Sequence, residues 1–125
     1  MKSVEELDVF KLAHALTLKV YEITANFPKE ETFNLVSQMR RAASSVGMNL
    51  VEGSMRLNSC EYRHYVGIAR GSAAEVSYQL FLAKDLGYIS PEHYGELRSG
   101  YDRVGQMLTR LSQSLNHEQQ ARARG

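Results

Sequence analysis

The sequence predicts an all-α protein, an antiparallel up-down-up-down four-helix bundle over residues 8–115. Three observations support this fold class. Apolar residues recur at steps of three and four in four separate segments, as they do in amphipathic helices. Both prolines, Pro28 and Pro91, stand near segment starts, and no stretch alternates apolar and polar residues as a strand does. The connections are only a few residues long, which makes consecutive helices antiparallel neighbours in one domain.

The first two helices are predicted over residues 8–26 and 30–55. Helix one ends before Pro28, because a proline disfavours helical geometry at the preceding residue. Helix two begins with Glu30 and Glu31, which interact favourably with the positive end of the helix dipole, and it stops near Gly53. The two apolar stripes are Val9, Leu12, Leu16, Val20 and Ile23, and then Leu35, Met39, Ala42, Val46 and Leu50.

The third and fourth helices are predicted over residues 60–86 and from Ser90 to residue 115. Ser59 and Ser90 are the expected N-caps, and Gly87 is expected just past the end of helix three. Residues 1–7 and 116–125 are expected to be flexible termini. The stripes are Tyr62, Val66, Ala69, Ala73, Val76, Leu80 and Ala83, and then Tyr94, Leu97, Tyr101, Val104, Leu108, Leu111 and Leu115.

Small residues are concentrated on helices two and three. Helix two carries Ala43 and Gly47, and helix three carries Gly67 and Gly71 one turn apart. Each glycine costs a helix about 1 kcal/mol relative to alanine, so a compensating contact is expected. Close packing of helix two against helix three would provide it. The alternative is that these are poor helix positions tolerated by chance.

Helix three carries more apolar side chain than one packing seam uses, including Tyr78, Phe81 and Leu82. A helix that is apolar nearly all round is usually buried nearly all round. We therefore expect this surface to contact another subunit in a homo-oligomer. The alternative is that the C-terminal tail or the loop between helices one and two covers it.

Polar residues form a second line along helix two, and Asn49 and Glu52 belong to it. If an oligomer buried these two side chains, their hydrogen bonds would fix the register of packing. They are equally compatible with a plain solvated surface, and Glu52 has the i, i+4 spacing of an ion pair with Arg56. The line consists of Arg41, Ser45, Asn49, Glu52 and Arg56.

The net charge of +1 is close to zero, yet residues 33–74 hold five arginines and two glutamates, a local balance of +3. Arg63, Arg70 and Lys84 are separated by multiples of seven and so share one flank of helix three. Arginine binds phosphate in a bidentate manner, so an RNA or DNA surface is one interpretation and a salt-bridged surface is the other. The candidate residues are Arg40, Arg41, Arg56, Arg63, Arg70 and Lys84.

Catalytic and metal-binding motifs are absent from the sequence: it has no phosphate-binding glycine loop, nucleophile elbow or metalloprotease pair. Cys60 is the only cysteine, and with His64 it gives two ligands, fewer than a zinc site needs. We therefore expect a protein that is not an enzyme and needs no cofactor or metal. Without an apolar signal or membrane segment, a cytoplasmic location is expected.

The stretch from residue 34 to residue 80 resembles the family of 23S ribosomal RNA intervening-sequence proteins, and the resemblance covers about residues 8–115. Two blocks carry most of it, and "LGYIS" at 86–90 is also similar. The first block is Gln38, Arg40, Arg41, Ala42, Ala43, Ser45, Gly47, Asn49, Glu52 and Gly53. The second block is Ala69, Gly71, Ser72 and Glu75.

The resemblance implies an antiparallel four-helix bundle that assembles into a ring, commonly a homopentamer. It also implies kinship with the accessory variability determinant of diversity-generating retroelements, a basic pentamer that works with a reverse transcriptase and binds nucleic acid. This chain is near neutral and contains no tryptophan, which is common early in helix one of the family.

Two functional hypotheses follow. The first is a homo-oligomer that binds structured RNA or DNA through the arginines of helices two and three. The second is a scaffold that binds a protein, such as a reverse transcriptase, and has no nucleic-acid role.

Overall fold

The computed structural model describes residues 3–124, which form a bundle of four α-helices and contain no strand. A 3₁₀ turn (Val4–Glu6) precedes the first helix, and a second one (Lys29–Glu31) leads into a π-helical turn (Thr32–Val36) before the second helix. The predicted fold class is thus confirmed. Within the described range no helix is long and apolar enough to cross a membrane. The helices are α1 (Asp8–Thr24), α2 (Ser37–Ser54), α3 (Ser59–Asp85) and α4 (Pro91–Arg124).

The helices follow one another around the bundle in chain order. Each packs on its predecessor and its successor, and α4 returns to pack on α1. The surface shared by α1 and α2 therefore lies on the opposite side of the molecule from the surface shared by α3 and α4. α3 and α4 are the longest helices, with 27 and 34 residues, and α1 has only 17.

The four apolar stripes form the core, as their spacing predicted. Every residue of the stripe predicted for helix two is buried. In the other three stripes, the partly buried residues are Leu12, Ile23, Tyr62, Tyr94 and Leu111. Burial on this scale provides the main driving force for the fold, at about 25 cal/mol per Å² of apolar surface. The largest fully buried side chains are Tyr101, Met39, Leu50, Leu80 and Leu108.

The helix ends use the expected turn chemistry with one change. Ser90 caps α4, its hydroxyl accepting from His93 N at 3.1 Å. Asn58, not the predicted Ser59, caps α3, its side chain accepting from Glu61 N at 2.8 Å. Gly87 has φ 79°, a left-handed conformation that suits glycine. The amides of residues 87 and 88 bond to the carbonyls of residues 84 and 83, which completes a Schellman motif.

The prediction that helix four ends at residue 115 is wrong, because α4 continues to Arg124. The extension consists mostly of good helix formers, and an i, i+4 ion pair joins Glu118 to Arg122 at 3.2 Å. It is also tied to the bundle, since the buried Ser59 hydroxyl donates to Glu118 Oε1 at 2.7 Å. At the other end, Val4 and Leu7 pack against the core.

The prediction that Gly67 and Gly71 pack against α2 is wrong within the protomer. Both are exposed, and a Cβ added at either would meet none of the described residues within 4 Å, because they lie off the buried stripe of α3. Ala43 and Gly47 face α1 instead. Thr17 Oγ1 donates to Ala43 O at 3.1 Å, and a Cβ on Gly47 would lie 3.6 Å from Phe10.

Close approach between α2 and α3 occurs elsewhere, at Gly53. A Cβ there would lie 2.9 Å from both Tyr62 Cδ1 and Tyr65 Cβ, closer than side chains pack. The expected close packing therefore exists, but a different glycine makes it possible.

Candidate nucleic-acid interface

The structure distributes the six candidate cations over three surfaces. Arg40 lies between α1 and α2, where its Nε donates to Thr24 Oγ1 at 2.9 Å and its terminal nitrogen donates to Tyr21 O at 3.2 Å. Its guanidinium also lies 4.8 Å from the centre of the Tyr21 ring. These contacts fasten the end of α1 to α2, so Arg40 has a structural role in the bundle.

Arg56 is likewise engaged within the chain. It forms the predicted ion pair with Glu52, donates to Tyr65 Oη at 2.7 Å and lies 4.7 Å from the centre of the Tyr65 ring. The pair fastens the end of α2 to the first turns of α3. Both charged side chains remain exposed, as a solvated pair was expected to be.

The polar line of α2 meets a matching polar strip on α3. Ser45 and Ser72 are hydrogen bonded at 2.9 Å, and Asn49 Nδ2 donates to Ser45 O and Oγ at 2.8 and 2.9 Å. Arg41 and Glu75 line the same strip. Asn49 therefore has partners within the protomer, and its role in fixing the register of an oligomer stays a prediction.

Arg63, Arg70 and Lys84 lie on one flank of α3, as their spacing predicted, and this flank faces α4. Arg40 and Arg41 of α2, which were expected to share the interface with them, lie on other surfaces. Arg63 Nε donates to Ser112 Oγ of α4 at 3.1 Å, and Lys84 Nζ lies 3.7 Å from Asp85. Among the described residues, no carboxylate lies within salt-bridge distance of Arg63 or Arg70. Both side chains are exposed, and neither is paired with a carboxylate of the described residues.

A groove of about 1030 Å³ runs between α3 and α4 on this side. We call it the α3/α4 groove. Arg70 lies at one end, and Tyr78 and Phe81 lie towards the other. The groove is lined by Arg70, Ala73, Ala74, Ser77, Tyr78, Phe81, Tyr94, Arg98, Tyr101, Asp102, Gly105, Gln106 and Thr109. Within residues 3–124, neither the C-terminal tail nor the loop between α1 and α2 contributes to this lining. Neither segment therefore covers the exposed surface of α3 that lines the groove.

A lysine lies against two aromatic rings at the Phe81 end of the groove. Lys84 Nζ lies 4.7 Å from the centre of the Phe81 ring and 4.6 Å from that of Tyr94, and the two rings meet edge to face at 6.3 Å. Tyr78 is 62% exposed and Phe81 is 42% exposed, whereas Leu82 packs against the core. Leu82 therefore does not belong to the exposed apolar surface predicted for helix three.

Arg98 is a further cation of the groove, and it was not among the residues predicted from the sequence. It donates to Tyr94 Oη at 2.8 Å and to Asp102 Oδ1 at 3.3 Å. Desolvation opposes its charge, but the bonds to Asp102 and Tyr94 prevail and raise the pKa of the guanidinium. The spacing of Tyr94, Arg98 and Asp102 at steps of four was the signal that could have revealed this cluster.

Tyr101 forms part of the groove floor, but its hydroxyl is buried. The ring is 2% exposed, and Oη has no hydrogen-bond partner among the described residues. Burial raises the pKa of this phenol, although the nearby Thr17 hydroxyl acts in the opposite direction. Thr17 donates its own proton to the carbonyls of Ala13 and Ala43, and it makes no hydrogen bond with Tyr101 Oη.

The opposite side of the bundle carries an apolar groove of about 540 Å³ between α1 and α2. We call this side the α1/α2 surface. Leu18, Tyr21, Met48 and Val51 are exposed on it, and Met48 is the most exposed at 66%. The groove is lined by Phe10, His14, Thr17, Tyr21, Ser44, Gly47, Met48, Val51 and Glu52.

The fold and the site define an up-down-up-down four-helix bundle with a cationic and aromatic groove on one side and an apolar groove on the other. The family model for the 23S rRNA-intervening sequence protein matches residues 5–110, so the chain belongs to that family. A search among curated proteins found no significant match.

A solved structure with the same fold is that of a protein with unknown function from the S23 ribosomal protein family of Bacteroides thetaiotaomicron. It superposes with a TM-score of 0.75 at 20% sequence identity, over 83% of this chain and 97% of the other. At this identity, the similarity shows the common fold.

Proposed function

We propose that the protein is a non-enzymatic nucleic-acid-binding bundle that holds phosphates along the α3/α4 side and works as a homo-oligomer. The observation that carries the proposal is the arrangement of Arg63 and Arg70. Both are exposed on one flank, with no carboxylate of the described residues within salt-bridge distance. Guanidinium groups in this state bind phosphate in bidentate fashion without first breaking an ion pair.

The local charge of this flank favours a polyanion although the whole chain is near neutral. This flank carries four cations and two carboxylates, which gives it a net charge of +2. The cations are Arg63, Arg70, Lys84 and Arg98, and the carboxylates are Asp85 and Asp102. Repetition of the flank in an oligomer would multiply this charge over one assembly. Arg40 and Arg56 contribute less to the proposed interface, because their guanidiniums serve contacts within the bundle.

The proposed assembly uses the α1/α2 surface as one side of the subunit contact. Its exposed residues are apolar, and contiguous apolar surface of this kind is characteristic of interaction sites. A closed ring, such as the pentamer implied by the family resemblance, uses two different surfaces of each subunit. The α1/α2 surface lies opposite the cationic side, so a contact through it does not cover the arginines.

A binding titration with matched charge reversals tests the phosphate role. Arg63→Glu combined with Arg70→Glu is expected to weaken binding to an RNA hairpin and to duplex DNA by at least about tenfold. Lys11→Glu combined with Lys19→Glu on α1 makes the same change in net charge on another surface and is the control. Equal losses for the two double variants would refute a specific role for this flank.

The second candidate is a scaffold that binds another protein and not nucleic acid. It is favoured by Phe33 and Leu57, which are each 96% exposed near the two ends of α2. A pull-down from nuclease-treated lysate tests it. One stoichiometric partner that is retained by the Arg63 and Arg70 variant and lost with Phe33→Ser and Leu57→Ser would support the scaffold and contradict the nucleic-acid proposal.

A further inference from the structure

We propose that the α3/α4 groove binds a single strand, with unpaired bases stacked on Tyr78 and Phe81 and the backbone held by the arginines. The assignment rests on the proposed function and narrows its ligand to nucleic acid whose bases are exposed. It adds the aromatic end of the groove to Arg70 at its other end and to the neighbouring Arg63.

The exposed aromatic rings of the groove suit stacking on an unpaired base. Tyr78 is the most exposed ring of the groove, and Phe81 follows it by three residues on the same flank of α3. Side-chain rings of this kind stack on the faces of bases, which are accessible in a single strand and hidden in a duplex. A paired helix would contact the rim of the groove but leave these rings unused.

The cations around the rings suit a backbone that follows the groove. Lys84 lies against the Phe81 and Tyr94 rings, and Arg98 is held in place by Tyr94 and Asp102. Arg70 lies eleven residues before Phe81, about 16 Å away along the helix axis. At about 3.4 Å per stacked nucleotide, this length accommodates about five nucleotides.

The edge of the groove permits close approach of a strand. Gly71 lies two turns before Tyr78 on the outer side of α3, and a Cβ added to Gly71 or to Gly105 of α4 would meet none of the described residues within 4 Å. Asp102 is the only carboxylate among the described residues that line the groove, and Arg98 neutralises it. The groove therefore combines accessible ring faces, cations and little opposing charge.

A tryptophan reporter tests stacking directly, because the chain has no tryptophan of its own. In Tyr78→Trp, oligothymidine and oligouridine are expected to quench the fluorescence of the indole as a base stacks on it. Phe33→Trp is the control, since Phe33 is 96% exposed in the turn before α2, a helix that lines no part of the groove. Its emission should stay unchanged at the same degree of saturation.

Affinity measurements complete the test with fluorescence anisotropy of labelled oligothymidine and oligouridine. Tyr78→Ala is expected to weaken binding about tenfold, within the range for loss of one stacked base, whereas Tyr78→Phe should bind like the wild type. Light scattering on the same variants should show unchanged assembly. A smaller assembly for Tyr78→Ala would make this surface a subunit contact and overturn the inference.

The remaining outcomes separate the inference from the function on which it rests. Binding of duplex or hairpin that is sensitive to Arg63 and Arg70, with no binding of single strands, would keep the proposed function and overturn the inference. Wild-type affinity of Tyr78→Ala for both oligonucleotides would also overturn it. Failure of every nucleic acid to bind at low salt would refute both.

Discussion

At the scale of single residues, the arginines of this bundle differ in what they contact, although they look alike in the sequence. Arg40 bonds Thr24 and the Tyr21 carbonyl, whereas Arg63 and Arg70 have exposed charge. Periodicity could place Arg63 and Arg70 on one flank of α3, because residues seven apart share a face. It could not show that Arg40 turns towards α1, since that contact joins residues 16 apart.

Loss of the Arg40 head group is expected to destabilise the bundle. Arg40→Met keeps the apolar stem but removes the bonds to Thr24 Oγ1 and Tyr21 O, at a cost of about 1–3 kcal/mol for hydrogen bonds from a charged donor. Urea denaturation measures this free energy of unfolding. Arg41→Met, at an exposed neighbour, is the control and should change it by less than about 0.5 kcal/mol.

Tyr101 is expected to make stability sensitive to alkaline pH. Burial raises the pKa of its phenol above the unfolded value of 10.0, so the folded state retains a proton that the unfolded chain loses. The resulting stability is fully present below pH 10 and falls as pH rises above it, by at most about 1.4 kcal/mol per pH unit. Denaturation between pH 7 and 11 should show this slope in the wild type.

Tyr101→Phe removes both the titration and the unsatisfied hydroxyl. The variant is expected to be about 1 kcal/mol more stable than the wild type at pH 7, because no buried donor is left without a partner at this position. Its stability should also decline less steeply above pH 10. A parallel decline in the two proteins would show that Tyr101 is not the group responsible.

At the scale of helices, the buried stripes could be predicted because burial repeats with the helical period, and each stripe is visible within its own segment. The residues that contact each glycine could not be predicted, because they depend on how two separate helices are rotated against each other. Gly67 and Gly71 therefore appeared to be packing positions, whereas Gly53 is the one at the close contact. The continuation of α4 to Arg124 includes a hydrogen bond from Ser59 to Glu118, and a contact between residues 59 apart cannot be found from helical periodicity.

A pair of glycine substitutions on neighbouring helices separates these cases. Gly53→Ala is expected to cost about 1–3 kcal/mol, because its Cβ would lie 2.9 Å from Tyr62 and Tyr65. Gly67→Ala is expected to stabilise α3 by about 0.5–1 kcal/mol, because the added methyl meets no described residue and alanine favours the helix. Thermal unfolding followed by circular dichroism measures both. A destabilised Gly67→Ala variant would mean that the exposed backbone there is in contact with another molecule.

At the scale of the whole molecule, the order of the helices places two chemically different grooves on opposite sides. The α1/α2 surface is apolar, whereas the α3/α4 groove combines cations with aromatic rings. From the sequence, self-association was expected on helix three because it is apolar over much of its circumference, and phosphate binding was expected on helices two and three because of their arginines. α3 packs on α2 and α4, which accounts for much of that apolar surface, including Leu82.

The proposed assembly is expected to depend on the α1/α2 surface. Met48→Glu combined with Val51→Glu should reduce the mass measured by light scattering, because two charges would be desolvated at the subunit contact. Phe33→Glu combined with Leu57→Glu places the same charges on exposed apolar residues at the ends of α2 and should leave the mass unchanged. A wild type that is monomeric throughout the concentration range would refute the assembly itself.

The salt dependence of single-strand binding tests the central claim most directly, because it counts the phosphates that the α3/α4 side neutralises. For the wild type, the logarithm of the association constant should fall linearly with the logarithm of the salt concentration. In the variant with Arg63→Ala and Arg70→Ala, the slope should be smaller in magnitude by about 1.4, or about 0.7 for each phosphate that is no longer neutralised. An unchanged slope would show that these arginines do not contact phosphate and would contradict the account.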